Sequence, residues 1–410
     1  MRPGSEQHHG SGTHRRRDPL RWIRRRALPW IGRFSVLAGL ALVAAWIAGR
    51  VRNDADLWSQ WLWWLPTVAV AAAALLAAGV SWACEKLGLR LAGATGRPLL
   101  VVAALCLIGW WSIAEANLHR VFAGTPGFGG PTLTVGYWNM AWSVGDERAG
   151  GPGFAADVLI AANPRPGEGR RDLLAALLER QRAAGLREPT GTDDSDDTDD
   201  PDQAGNPPTA VHVASVLGGS AVVTRDPILR TGRAMLDGRS GSWAESRNGS
   251  YQNGIAFVTL DTTARLGRET TIWIVDAPSD PLAPRTEIMA ALAEAARGWT
   301  GPVRAPDHIG RWRSTDPDTP GFPEPDLIVG DFNATRGSRS IGKLVGDRAE
   351  SHAVAGVGPD RTFYSSLPLW AIDLAHASDG WRWVGSDTLE AGGPHRAIIV
   401  EAVPVDTPSP

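Results

Sequence analysis

Asp331 and Asn333 are the residues whose types and spacing first suggest chemistry in this chain. They close the run Asp326-Leu327-Ile328-Val329-Gly330-Asp331-Phe332-Asn333. One side chain is an anionic acceptor; the other offers an amide N–H and a carbonyl oxygen. In extended geometry residues two apart point to the same side. The pair would then set a base or cation ligand beside a donor for developing negative charge, a combination that suits a phosphate site. A polar turn after a core strand explains a bare Asp-x-Asn as well. What favours chemistry is the set of polar residues at other strand ends: Asn139, Asn163, Asp373 and His395.

The elements that must position them are short apolar runs separated by Gly, Pro and Asp. Strands are predicted over Thr132–Trp142, Asp157–Asn163, Ala210–Val216, Ser220–Thr224, Ile255–Leu260, Thr271–Val275 and Arg396–Val403, besides the run ending at Asn333. Amphipathic helices are predicted over Arg170–Ala184 and Arg285–Arg297. Residues 187–208 form an acidic, low-complexity insert without apolar residues, expected to be disordered. The Gly/Ser/Arg-rich stretch Asp237–Gly254 is long for a loop in a compact domain, and such loops are often functional. Many strands with a few helices predict an α/β (α+β) sandwich of sheets covered by helices, spanning 130–404.

The N-terminal third is of another kind. Residues 1–27 are polar and Arg-rich. Three apolar stretches follow within 28–116, namely Leu28–Gly49, Leu62–Cys84 and Pro98–Ala114, each near the ~20 residues that cross a bilayer. Trp30, Trp46, Trp61, Trp63, Trp64, Trp110 and Trp111 sit near their ends, as an interfacial belt would. The basic tail and the Lys86/Arg90/Arg97 loop put those segments in the cytoplasm. Three crossings then place the C-terminal region of this multi-pass cell-membrane protein outside. No charge interrupts the second or third stretch, which favours an anchor over a transport path.

Composition narrows the classes further. The chain has 410 residues, 43% of them hydrophobic, with a net charge of -3. Its two cysteines, Cys84 and Cys106, lie in the apolar third, so neither suggests a disulfide framework or a thiolate metal site. The C-terminal region has no basic, aromatic-interleaved patch and carries the acidic insert, so no stable nucleic-acid complex is expected.

In this order the pieces resemble the endonuclease/exonuclease/phosphatase superfamily of deoxyribonuclease I-like nucleases and phosphatases. Gly330-Asp331-Phe332-Asn333 is the most specific match. Tyr137-Trp138-Asn139-Met140 looks like the family's first strand. Gly219-Ser220-Ala221-Val222-Val223-Thr224-Arg225-Asp226-Pro227-Ile228 is similar to its "G-x-A-I-L-S-R-x-P-I" strand. Ile372-Asp373 and Pro394-His395-Arg396 look like its "I-D-H" and "S-D-H-R-P" motifs. The resemblance implies a four-layer sandwich of two mainly antiparallel sheets flanked by helices, with the active site at one end between them. It implies that Asp331 orients or deprotonates water and Asn333 stabilises the transition state. It also implies that Asp373 orients His395 and His395 contacts the phosphate. Mg2+ or Mn2+ would be held by Asn139 and Asp331, with Asn163 at the position of the family's principal metal-binding Glu.

The departures are specific. Asn163 replaces that Glu, and an amide binds a hard dication more weakly than a carboxylate. The "N-x-H" strand end reads Asp276-Ala277-Pro278, Pro394 precedes the last histidine, and Leu374 replaces the histidine of "I-D-H". Asp276, Asp280 and Glu168 are the candidate substitute carboxylates. Two readings follow. One is a membrane-anchored, metal-dependent phosphoesterase acting on a phosphate-ester substrate. The other is a non-catalytic member of the same fold that binds a ligand or partner.

Overall fold

The computed structural model describes residues 28–87, 96–122, 130–141, 156–164, 212–217, 220–236, 253–306, 312–315, 320–364 and 366–405. The basic tail, the predicted helix Arg170–Ala184, the acidic insert, Glu168 and most of the Asp237–Gly254 loop lie outside them. The N-terminal helices are α1 (Leu28–Arg52), α2 (Leu57–Trp63), α3 (Thr67–Lys86) and α4 (Gly96–Trp110). Three helices are long and apolar enough to cross a membrane: Trp30–Arg52, Thr67–Lys86 and Gly96–Glu115.

Contacts divide the chain into two units. Met1–Ile47 and Thr67–Gly109 form one; Ala48–Pro66 and Trp110–Pro410 form the other. In the first, Val36, Ala74, Ala78, Leu100 and Ala104 pack together. Small residues permit close approach between such helices. At Gly39 an added Cβ would sit 3.0 Å from the Ala77 methyl.

The second unit is a sandwich of two mixed sheets. One has six strands, in the order β13 (Trp381–Leu389), β14 (Ala397–Pro404), β1 (Leu133–Asn139), β2 (Val158–Ala162), β4 (Ala221–Thr224), β3 (His212–Ser215). The other has eight: β11 (Ala349–Glu350), β12 (Asp373–Ala377), β10 (Leu327–Asp331), β7 (Thr270–Asp276), β6 (Gly254–Leu260), β5 (Ile228–Met235), β8 (Val303–Pro306), β9 (Trp312–Thr315). Pairing is antiparallel except between β1 and β2 and between β7 and β10. Alternate residues share a face. Val135 and Tyr137, Ile272 and Ile274, and Leu327 and Val329 therefore meet in the core between the sheets. The opposite face of the larger sheet carries Ile255, Phe257, Trp273 and Val275.

That face is covered by a helix. After the short α5 (Thr263–Leu266), α6 runs Arg285–Arg297, as its periodicity predicts, and buries Ile288, Met289 and Leu292 on the sheet. Buried on both faces, these strands read as continuous apolar runs. Gly330 is required where β10 passes β7. Its φ is +153, and a Cβ there would lie 2.1 Å from the Val275 carbonyl oxygen.

The loop between the first two apolar helices belongs to this unit. Asp54, 1% exposed, accepts hydrogen bonds from the Ser340 amide at 3.1 Å and from the Ser340 hydroxyl. Gln60, fully buried, accepts from the Arg285 amide at 3.0 Å and donates to the Pro281 carbonyl at 3.3 Å. Trp63 Nε1 donates to Ser338 Oγ at 2.9 Å, and Trp370 Nε1 to the Trp64 carbonyl at 2.8 Å. The structure thus differs from the sequence reading, which starts the second span at Leu62 and puts Trp61, Trp63 and Trp64 in an interfacial belt. Pro66 disfavours helical geometry at Leu65, so the second long apolar helix starts at Thr67, and Trp63 and the Trp64 carbonyl are hydrogen-bonded to the sandwich. The chain leaving the third apolar helix docks too. Asn117 Nδ2 donates to the His352 carbonyl at 2.8 Å, and Arg361 pairs with Glu115 at 3.2 Å.

Candidate active site

Strand register builds the site. β10 lies between β7 and β12, and Asp331 is the register partner of both Asp276 and Asp373. Three carboxylates thus form one row across the larger sheet. Each has the parity of core-facing residues on its own strand, so the row faces the gap between the sheets. From the smaller sheet, Asn139 has the parity of Val135 and Tyr137 and meets the row. All four residues are buried.

The contacts are specific. Asn139 Nδ2 donates to Asp331 Oδ2 at 2.8 Å. Asn163 Nδ2 donates to Asp276 Oδ2 at 3.1 Å and to Asn139 Oδ1 at 3.3 Å. The Asp331 amide donates to the Tyr137 hydroxyl at 3.0 Å. His395 Nδ1 lies 2.9 Å from Asp373 Oδ2. The Thr362 hydroxyl fixes the start of β12 by accepting from the amides of Ile372 and Asp373, at 3.2 and 3.1 Å.

Asn333 reaches the site by another route than an extended pair. The strand ends at Asp331, and Asn333 has φ 45. Asn tolerates this left-handed region because its short polar side chain bonds locally. Asp331 Oδ1 accepts from the Asn333 amide at 2.8 Å, and Asn333 Nδ2 donates to the Ala277 carbonyl at 2.8 Å. Asn163 is left-handed as well, with φ 50. Both turns follow strand ends; Asn163 thereby points its side-chain amide at Asp276, and Asn333 its backbone N–H at Asp331.

Electrostatics follow from burial and crowding. Burial, then the Asp373 charge, raises Asp331 to about 8. Burial raises Asp276 to about 6, against the Asn163 hydrogen bond. Burial opposes the charged form of His395, but the Asp373 carboxylate outweighs it and lifts the imidazole to about 9. Burial lowers Arg285 to about 10, against the charges of Asp331, Asp280 and Asp54, so it stays cationic at neutral pH.

A cavity of about 1020 Å³ opens onto the row. Its lining brings together five of the six residues singled out from sequence, Asn139, Asn163, Asp331, Asn333 and His395; the sixth, Asp373, stands behind His395 through their contact. Asp276 also lines it. Asp280 does not; its carboxylate accepts from the Leu282 amide at 2.9 Å.

The row fits an oxygen-ligated divalent cation. Its donors are hard oxygens, its carboxylates repel one another, and Asp373 Oδ1 is buried with no partner among the described residues. Ligand-capable atoms of Asp331, Asp373 and His395 lie within 4.8 Å of one another. Asp276 and Asn163 together hold one carboxylate and one amide, in exchanged places relative to the resembling motifs.

Sequence reasoning missed Arg285, Trp61, Trp64, Phe363 and Trp370 in the lining. One signal for Arg285 was legible. A cation in the first turn of a helix opposes the helix dipole, and Arg285 opens α6. Its guanidinium instead donates to the carbonyls of Pro278 and, at 2.9 Å, Asp280.

No family model matches the chain, and no curated protein matches it in sequence. Solved structures do. An endonuclease/exonuclease/phosphatase family protein from Bacteroides thetaiotaomicron aligns at 15% identity and TM-score 0.37, over 67% of this chain and 98% of that one. The inositol polyphosphate 5-phosphatase domain of SPsynaptojanin, solved with inositol (1,4)-bisphosphate and calcium, aligns at 10% and 0.40, over 66% and 83%. Beta toxin from Staphylococcus aureus aligns at 12% and 0.35, over 67% and 100%. Nothing about chemistry follows from likeness at that level; it follows from the side chains at the sheet ends.

Asp276, Asp331 and His395 all titrate above their ordinary values. The stability each contributes is present below that ordinary value and is lost as pH rises through about 6, 8 and 9 respectively. Without divalent cations, the Tm of the full chain should fall as pH rises across that range, and Asp331→Asn should flatten the fall near 8. A Tm that is constant or rises over the range contradicts this electrostatic picture.

Proposed function

We propose that the protein is a membrane-anchored, metal-dependent phosphoesterase that hydrolyses a phosphomonoester or phosphodiester by attack of water. The observation that carries this reading is the meeting of the Asp276–Asp331–Asp373 row with Asn139 and His395 at one end of the sandwich. Asp276, Asp331 and Asn139 would hold the cation. When bound, it neutralises phosphate charge and favours ionised carboxylates beside it.

The residues divide the remaining work. Ionised Asp331 orients water and takes its proton. It is held for this by Asn139 and by the Asn333 amide. One Asn333 Nδ2 hydrogen is committed to the Ala277 carbonyl, which leaves the other for a phosphoryl oxygen. His395 is protonated at neutral pH, so it serves as a donor to the phosphate or leaving oxygen and not as the base. Asp373 keeps that charge and orients the ring at 2.9 Å.

Purified full chain in nanodiscs should hydrolyse p-nitrophenyl phosphate or bis(p-nitrophenyl) phosphate when given Mg2+ or Mn2+. Asp331→Ala and His395→Ala should each lower turnover by about 10²–10⁴-fold with Tm still cooperative. Wild-type rates in both variants would remove the assignment.

The C-terminal region is extracytoplasmic in this reading, supported by the basic tail and the basic second loop. Docking of Ala48–Pro66 on the sandwich is consistent with it, since the loop after one crossing and the region after three lie on the same side. A reporter fused after Pro410 should be active only outside the cytoplasm; cytoplasmic activity would overturn the topology.

A further inference from the structure

One wall of the cavity comes from the inter-span loop. Trp61 and Trp64 line it, together with Phe363 and Trp370. The loop is fixed there by buried Asp54 and Gln60 and by the Trp63 and Trp370 indoles. Gln60 also ties the wall to the chemistry, because it accepts from the amide of Arg285, whose guanidinium lies 5.4 Å from the Trp64 ring.

Two observations indicate a ligand here. Trp64 Nε1 and Arg285 Nε are buried N–H donors on cavity-lining residues, and neither has a hydrogen-bond partner among the described residues. Buried donors are rarely left unmatched. Among the described residues the lining carries the guanidinium of Arg285 and the imidazole of His395, groups that suit a phosphate.

The aromatic wall decides what the phosphate is attached to. Trp61 and Trp64 meet edge to face, with centroids 5.6 Å apart at 64°, and Phe363 and Trp370 are tilted at 38°. Among the described residues no parallel pair forms a slot for a flat base. The wall is an irregular apolar surface suited to aliphatic chains. It is also tethered: Trp64 is separated only by Leu65 and Pro66 from Thr67, where the next membrane-length helix begins.

Resting on the phosphoesterase reading of the same site, we propose that its substrate is a membrane lipid phosphoester. The phosphate lies at the Asp331–His395–Arg285 end, and the lipid's apolar part lies against Trp61, Trp64, Phe363 and Trp370. Trp61 and Trp64 are then specificity residues, and Arg285 is a phosphate-binding residue that Gln60 helps to position. The C-terminal region expressed without Ala48–Pro66 lacks the Trp61 and Trp64 part of this wall.

Calorimetry on the full chain in nanodiscs, against empty nanodiscs, tests this separately from hydrolysis. The probes are dihexanoyl phosphatidic acid with glycerol 3-phosphate, dihexanoyl phosphatidylglycerol with glycerophosphoglycerol, and AMP. In at least one pair the lipid should bind ten times or more tighter than its soluble partner and than AMP. Trp61→Ala/Trp64→Ala should reduce that preference fivefold or more. Trp61→Ala alone, at a side chain 44% exposed, should reduce it in the same direction if the double variant does not fold. Absence of lipid binding, equal affinities, tighter AMP binding, or a preference that survives the substitutions overturns the proposal. Lipid binding without turnover of any phosphoester overturns the phosphoesterase reading and, with it, the lipid as substrate, leaving only the wall as a lipid-binding surface. Turnover of soluble esters with no lipid preference does the reverse.

Discussion

Three buried carboxylates in one row are the constraint on which the rest of this structure depends. Asp276, Asp331 and Asp373 are brought side by side by strand pairing, where burial and neighbouring charge oppose the ionisation of Asp276 and Asp331. The surroundings answer that cost with donors: the Asn139 and Asn163 amides, the Asn333 backbone N–H, and the His395 imidazolium. Each comes from a different strand end or turn. The sandwich is what makes them converge: strand parity aims Asn139 into the space between the sheets, and left-handed turns at the strand ends bring Asn163 and Asn333 to the row. A row of this kind is unstable as a purely structural motif and useful as a cation and phosphate site, which is why the functional reading rests on it.

The second theme is that the site does not end with the sandwich. The Ala48–Pro66 loop is held by side chains that are themselves buried, notably Asp54 and Gln60. Buried polar groups are costly unless paired, so the loop's fixed place follows from these pairings more than from apolar contact. It supplies aromatic surface to a cavity whose chemistry comes from residues far later in the chain. The apolar N-terminal third therefore contributes to the site, since part of the cavity is written between its first two membrane-length helices.

How much of this the sequence discloses follows from where the information is local. Gly330-Asp331-Phe332-Asn333 is legible because a strand, a glycine at a close approach and two polar side chains are adjacent. The α6 helix is legible from periodicity alone. The Asp373–His395 pair is reached only through motif resemblance, and its 2.9 Å contact depends on a turn at Thr362 that no periodicity announces. The row itself is invisible without register: Asp276 reads as one of several spare carboxylates until β7 is seen beside β10. The contacts of the tryptophans at 61–64 with the sandwich are not legible for a physical reason. Tryptophan near an apolar stretch suits a membrane interface as well as a docking surface, and only Pro66 hints that the helix starts later.

The most direct test of the account concerns the exchanged carboxylate. The full chain in nanodiscs should be titrated with Mn2+ by calorimetry beside Asp276→Asn and Asp280→Asn. If the row holds the cation with Asp276 in place of the missing Glu, the wild type binds Mn2+, Asp280→Asn matches it, and Asp276→Asn weakens binding at least tenfold while remaining folded. Unchanged Mn2+ affinity in Asp276→Asn would contradict the account.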